Sequence, residues 1–258
     1  MLESMLLQGP QNDENPSFPI PPISEFKAYY DHPDEDKFVG YYGIFGYQAM
    51  TSTANLIQMC ELNGIATSRV AFPNWFKFFI DGKIIYTTHV PIASGMSWED
   101  LNQRGLVYGG KIIRLGGKNY KVRLFKTLAD DVDSLVLPTS PALDNYKPFY
   151  TEGSEYNRTI LNCCKDSPQP GEREPGSPAW DIYTGGMLAG LAQNNFSLSY
   201  VWMQEELVHF DGRKGRLQRP SLNVTNSIAH AWFNDPNPAN PAFKAGSCWR
   251  PVLELVND

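Results

Sequence analysis

The chain has 258 residues, 42% hydrophobic and 19% charged, which is enough to bury one good core or two modest ones joined by a linker. Its 22 basic and 28 acidic residues give a net charge of -6 with no basic stripe, so the electrostatic footprint of a nucleic-acid binder is absent. No apolar run approaches membrane length, and the opening MLESMLLQGPQNDENP lacks the charged-then-apolar layout of a signal peptide; neither membrane insertion nor secretion is expected.

Residues 1–37 read as an extended, proline-rich arm. Prolines at 10, 16, 19, 21 and 22 forbid a continuing helix and favour polyproline II. Phe18, Ile20, Ile23 and Phe26 are interleaved with them; the stretch reads either as a floppy terminus or as an arm that orders against a neighbouring subunit, for which these four are the candidate partner contacts.

Residues 38–128 read as a helix-supported β-hairpin domain. FVGYYGIFGY sets glycines 40, 43 and 46 among aromatics, which suits a β-surface packed on another element. STANLIQMCELNG predicts a helix capped by Ser52 or Thr53, with Leu56, Ile57, Met59 and Cys60 on its apolar face and Gly64 ending it. Two hairpins follow. WFKFFI and KIIYTTHV flank Asp81-Gly82, and KIIRL and KNYKVRLFK flank Gly116-Gly117, the turn pairs that tolerate positive φ at both central positions. Between them, SGMSWEDLNQRG predicts a short helix capped by Ser97, with Asp100 three residues on and Gly105 at its end. Alternation along NYKVRLFK turns Tyr120, Val122 and Leu124 to one face, and Lys121 and Arg123 to the other.

A linker is expected over 129–152, where prolines 138, 141 and 148 follow an acidic cluster. Residues 153–258 then read as a loop-rich C-terminal α+β domain. It contains a short helix over GSEYNRTILNCCKD capped by Ser154, a loop at SPQPGEREPGSP, strands at SLSYVWMQEEL and SLNVTNSIAHAWF around a polar turn FDGRKGRLQRP, and a closing strand at WRPVLELV. The fold class is thus α+β: an antiparallel, hairpin-rich N-terminal module with short helices, then a loop-rich β module.

Chemistry-bearing groups are sparse. Cys60, Cys163, Cys164 and Cys248 show no C-x-x-C spacing and read as reduced thiols. Glu205-Glu206 and His209 would share a face only on a helix, whereas their segment reads as a strand; a surface charge cluster is the expectation. No nucleophile–base pair is visible, and no cofactor, metal or catalytic residue is expected. The alternative to a purely structural reading is glycan stacking by Trp180, Trp232 and Trp249.

The run NWFKFFIDGKIIYTTHVPIASGMSWEDLNQRGLVYGGKIIRLGGKNYKVRLFK is similar to the W-x-K-F…DGK…P-I…S-W-x-x-L…V-Y-G-x-K-x-I…G-K-x-Y-K-V-R-L pattern of tailed-bacteriophage virion structural proteins. GSEYNRTIL resembles that group's S-E-W-N-R-L-I segment, and CWRPVLEL its closing G-W-R-P-V-L-E-L. Tyr156 stands where the pattern has Trp, and Cys248 where it has a residue such as Gly. The segments fall in the expected order over roughly two-thirds of the chain, which is more specific than any one motif. The C-terminal half also resembles, faintly, the C-type-lectin-like fold of formylglycine-generating enzymes and phage adhesins. That likeness implies that Glu155, Trp202, Trp249 and Arg250 are structural staples. The copper-binding cysteine pair of those enzymes has no counterpart here.

The resemblance implies a non-catalytic structural subunit of a tailed-phage virion, in the tail, the baseplate or an appendage attached to the head, made in the host cytoplasm. Its implied partners are other virion proteins and copies of itself. The alternative is an adhesin module that meets a host receptor or surface glycan.

Overall fold

The computed structural model describes residues 19, 21–30, 38–128, 135–137, 154–163, 200–209, 214–219, 230–232 and 247–256. In chain order the elements begin with β1 (Ala28–Tyr30), β2 (Val39–Phe45), helix α1 (Thr53–Met59), β3 (Thr67–Ser68), β4 (Trp75–Ile80), β5 (Lys83–Thr88) and β6 (Ala93–Ser94). Helix α2 (Trp98–Asn102), β7 (Tyr108–Leu115), β8 (Lys118–Arg123) and β9 (Leu135–Leu137) follow. A π-helical turn at Asn157–Leu161 precedes β10 (Tyr200–His209), β11 (Lys214–Arg219), β12 (His230–Trp232), β13 (Ser247–Trp249) and β14 (Val252–Leu255). The architecture is mixed α+β with two sheets rich in antiparallel pairs.

Turn chemistry sets the frame as the sequence predicts. Asp81 and Gly82 take φ of 50° and 69°, and Gly116 and Gly117 take 55° and 84°. Both loops therefore have the positive φ of a primed turn, whose twist matches the flanking strands, and they fix the closing pairs Ile80 with Lys83 and Leu115 with Lys118. Ser97 and Asp100 form a reciprocal capping box on α2, and Ser52 caps α1 by accepting from the Asn55 amide at 3.3 Å.

The first sheet runs β1-β2-β4-β5-β14-β8-β7. The second runs β12-β11-β10-β13-β6-β3, with β9 also paired to β10. Alternation along β4 divides the interior into two cores. Phe76, Phe78 and Ile80 face Ile85, Phe125, Tyr156, Ile160, Met203 and Val252. Trp75, on the other parity, joins Leu56, Trp98, Leu101, Tyr120, Val122 and Leu253 under the two helices. The first sheet is thus covered on both sides, and Val252 and Leu253 of β14 are each fully buried, one in each core.

Four expectations are corrected. The division at 129–152 does not separate two sheets: β14, from the C-terminal part, lies between β5 and β8 in the middle of the first sheet, and β13 pairs with β6. A strand apolar at successive positions needs cover on both faces, and only an interior place in the sheet supplies it. Residues 214–219, expected as part of a polar turn, form β11, held from both sides by β10 and β12. Arg123, expected on an open face, is buried because the segment 154–163 lies over it. The stretch 21–30, assigned to an arm, belongs to the body. Its β1 pairs with β2, and the Phe26 ring packs against Tyr42 at 4.7 Å and Phe38 at 5.5 Å.

Candidate functional site

The densest polar grouping sits where the segment 154–163 crosses the first sheet. Arg123 of β8 donates from Nε to Glu254 Oε2 of β14 at 2.8 Å, and its two terminal nitrogens reach Glu155 at 2.8 and 2.5 Å. The Lys126 amide adds a bond to Glu155 at 3.0 Å. Burial works to raise both carboxyls, but the Arg123 charge and hydrogen bonds outweigh it and hold each below the ordinary carboxylate range. The same carboxylates raise the guanidinium against the burial that would lower it.

A second set of contacts ties the same segment down elsewhere. Arg158, fully enclosed, forks onto Asp81, the first residue of the β4–β5 turn, with Nη1 donating to Oδ1 at 2.7 Å. Arg219 of β11 donates to Asn157 Oδ1 at 2.8 Å and lies over the Tyr156 ring at 5.0 Å. Arg250, between β13 and β14, donates to the Tyr156 hydroxyl at 3.3 Å and to the His89 carbonyl at 3.2 Å. One ten-residue segment therefore locks a hairpin turn, both sheets and the junction ahead of β14. Buried ion pairs offset much of their Coulomb energy by desolvation, so this network adds little net stability although loss of any one partner is costly.

Two ionisable groups nearby are displaced by burial. Glu205 of β10 accepts from the Thr127 and Leu128 amides at 2.7 and 3.1 Å, while its Oε2 has no partner among the described residues. Burial pushes its carboxyl up to about 7 against the pull of those amides. Burial pushes His89 down to about 4, so it is neutral near pH 7. Glu206, the next residue of β10, pairs with Arg216 of β11 at 2.9 Å. The two neighbouring carboxylates thus have separate partners, and among the described residues no group of three metal-ligating side chains comes together.

The predicted contact residues scatter. Phe18, Ile20 and Trp180 lie outside the described residues, as does the Trp232 side chain, whose backbone is in β12. Ile23 is 53% exposed on the short 3-10 turn that precedes β1. Phe26 is spent on its own sheet, where it covers Gly40, rather than held for a partner. Trp249 is fully buried in the second core, which withdraws it from glycan contact. Glu155, Trp202, Trp249 and Arg250 are all interior; Trp202 donates to the Met96 carbonyl at 3.1 Å. Arg123, Arg158 and Glu205 were missed as interior groups, because a charged residue in a strand or helix pattern reads as solvated unless its partner, distant in sequence, is known.

Exposed large apolar side chains gather at the ends of the first sheet. Tyr29 is on edge strand β1, and Tyr108 and Ile112, 58% and 54% exposed, are on edge strand β7. No helix among the described residues is long and apolar enough to cross a membrane. No protein-family model, curated protein or solved structure matches the chain.

Proposed function

We propose that this chain is a non-catalytic structural subunit of a tailed-phage virion, set in the tail, the baseplate or an appendage attached to the head, and that it assembles with other virion proteins and copies of itself. The observation that carries the reading is how the residues shared with the phage pattern are used. Asp81 closes a turn and receives Arg158, Ser97 caps α2, and Arg123 bridges Glu155 and Glu254, with Lys83 3.9 Å from the latter. Arg250 spends its donors on Tyr156 and the His89 carbonyl. Pattern residues whose charges are consumed internally in this way encode a shape rather than a reaction centre. The enclosed roles of Glu155, Trp202, Trp249 and Arg250 also support reading the C-terminal half as a degenerate C-type-lectin-like unit.

The apolar edges of the first sheet give such a subunit surfaces to join. Open edges template further strand pairing unless they are guarded, and β7 carries Tyr108 and Ile112 outward. Mass spectrometry of density-purified particles of the phage encoding this chain tests the proposal. Peptides of the chain at a fixed ratio to a major capsid protein are expected. Their absence from intact particles, or turnover of a substrate by the isolated chain, would overturn it.

A further inference from the structure

We propose that the open concavity at the start of α1 binds an uncharged saccharide. The hollow has a volume of about 610 Å³, inside the range of small-ligand sites, and none of its lining residues carries a charge. Its apolar wall is Phe72, 62% exposed, packed against Tyr47 with ring centroids 4.6 Å apart. Its polar wall is Gln48, Asn55 and Gln58, all exposed, whose side-chain amides make no hydrogen bond among the described residues. An aromatic face beside amides that both donate and accept matches a sugar ring, which shows apolar C–H groups on one side and hydroxyls at its rim. A charged ligand would find no counter-ion in the lining.

The hollow is also rigidly made. Thr53 donates from its hydroxyl to the Val70 carbonyl and from its amide to the Ala71 carbonyl at 3.1 Å. Trp75 Nε1 donates to the Thr51 carbonyl at 3.2 Å. These bonds tie down the backbone before Phe72 and after Tyr47, so the frame that carries the two rings is set before any ligand arrives.

The site does not depend on the virion assignment, and its test is separate. The intact chain is titrated with maltotriose, cellotriose, chitotriose and galactobiose, followed by saturation-transfer NMR. At least one of these sugars is expected to bind with millimolar or tighter affinity, weakened about tenfold or more in Phe72→Ala and in Gln58→Ala, both with an unchanged melting midpoint. A charged oligogalacturonate is expected not to compete. No saturation transfer from any of these sugars at roughly 10 mM overturns the proposal, as does binding that both variants retain. Capture of a proline-rich peptide (residues 10–22) in place of any sugar also overturns it.

Discussion

Glu205→Gln separates two buried titrations that oppose each other. Glu205 is raised from 4.5 to about 7, so the folded chain holds that proton more tightly than the unfolded one. Its contribution to stability is complete below pH 4.5 and is lost as the pH rises toward 7. His89 is depressed from 6.5 to about 4, so its contribution is complete above pH 6.5 and is lost as the pH falls toward 4. Each shift corresponds to about 3 kcal/mol, at roughly 1.4 kcal/mol per pH unit. Between pH 7.5 and 5 the wild-type chain gains about 2 kcal/mol at Glu205 and loses about 2 kcal/mol at His89, leaving a nearly flat profile. Glu155 and Glu254 are lowered and act mainly below that window.

A glutamine keeps the acceptor that the Thr127 and Leu128 amides use and removes the ionisation. The E205Q variant should be more stable than wild type at pH 7.5 by about 2–3 kcal/mol, and should lose about 2 kcal/mol on acidification to pH 5 as the His89 slope is uncovered. Urea unfolding followed by tryptophan fluorescence at pH 7.5, 6 and 5 measures both effects. A variant less stable than wild type at pH 7.5, or one whose profile runs parallel to wild type, would refute the reasoning.

Arg123→Met leaves Glu155 and Glu254 enclosed without their cation and should cost about 3–5 kcal/mol by denaturant unfolding; adding Glu155→Gln should restore part of the loss. Ser97→Ala removes one half of the capping box on α2 and should cost about 1 kcal/mol in the same assay. Gly40→Ala places a methyl group in the space the Phe26 ring occupies, and Phe26→Ala empties that space. Both should speed tryptic cleavage after Lys27 while leaving the melting midpoint of the main core in place; equal cleavage rates in variants and wild type would show that residues 21–30 are not held by that ring.

The legible parts of the fold were those whose cause is local. Asp81-Gly82 and Gly116-Gly117 announce their turns because few other dipeptides tolerate the required backbone, and Ser97 with Asp100 announces α2 by reciprocal capping. What stayed hidden depends on partners far along the chain. Lys214–Arg219 looks like a turn until β10 and β12 supply its ladder on both sides. Arg123 looks solvated because Glu155 and Glu254 are 32 and 131 residues away. Trp249 looked available for a sugar because no local pattern distinguishes an enclosed tryptophan from an exposed one. The concavity went unread for a similar reason: Phe72 and Tyr47 stand in irregular stretches, and only the fold brings them together.

The central seat of β14 has a consequence for synthesis. Thr87 donates its hydroxyl to the Pro251 carbonyl, 164 positions later, so β5 and β8 stay without their shared neighbour until translation has passed that point. Nascent chains stalled upstream would leave an unfilled slot between two apolar strands, a feature chaperones and proteases can grip. Emergence of β14, rather than emergence of the hairpins, is then the event that completes the first sheet.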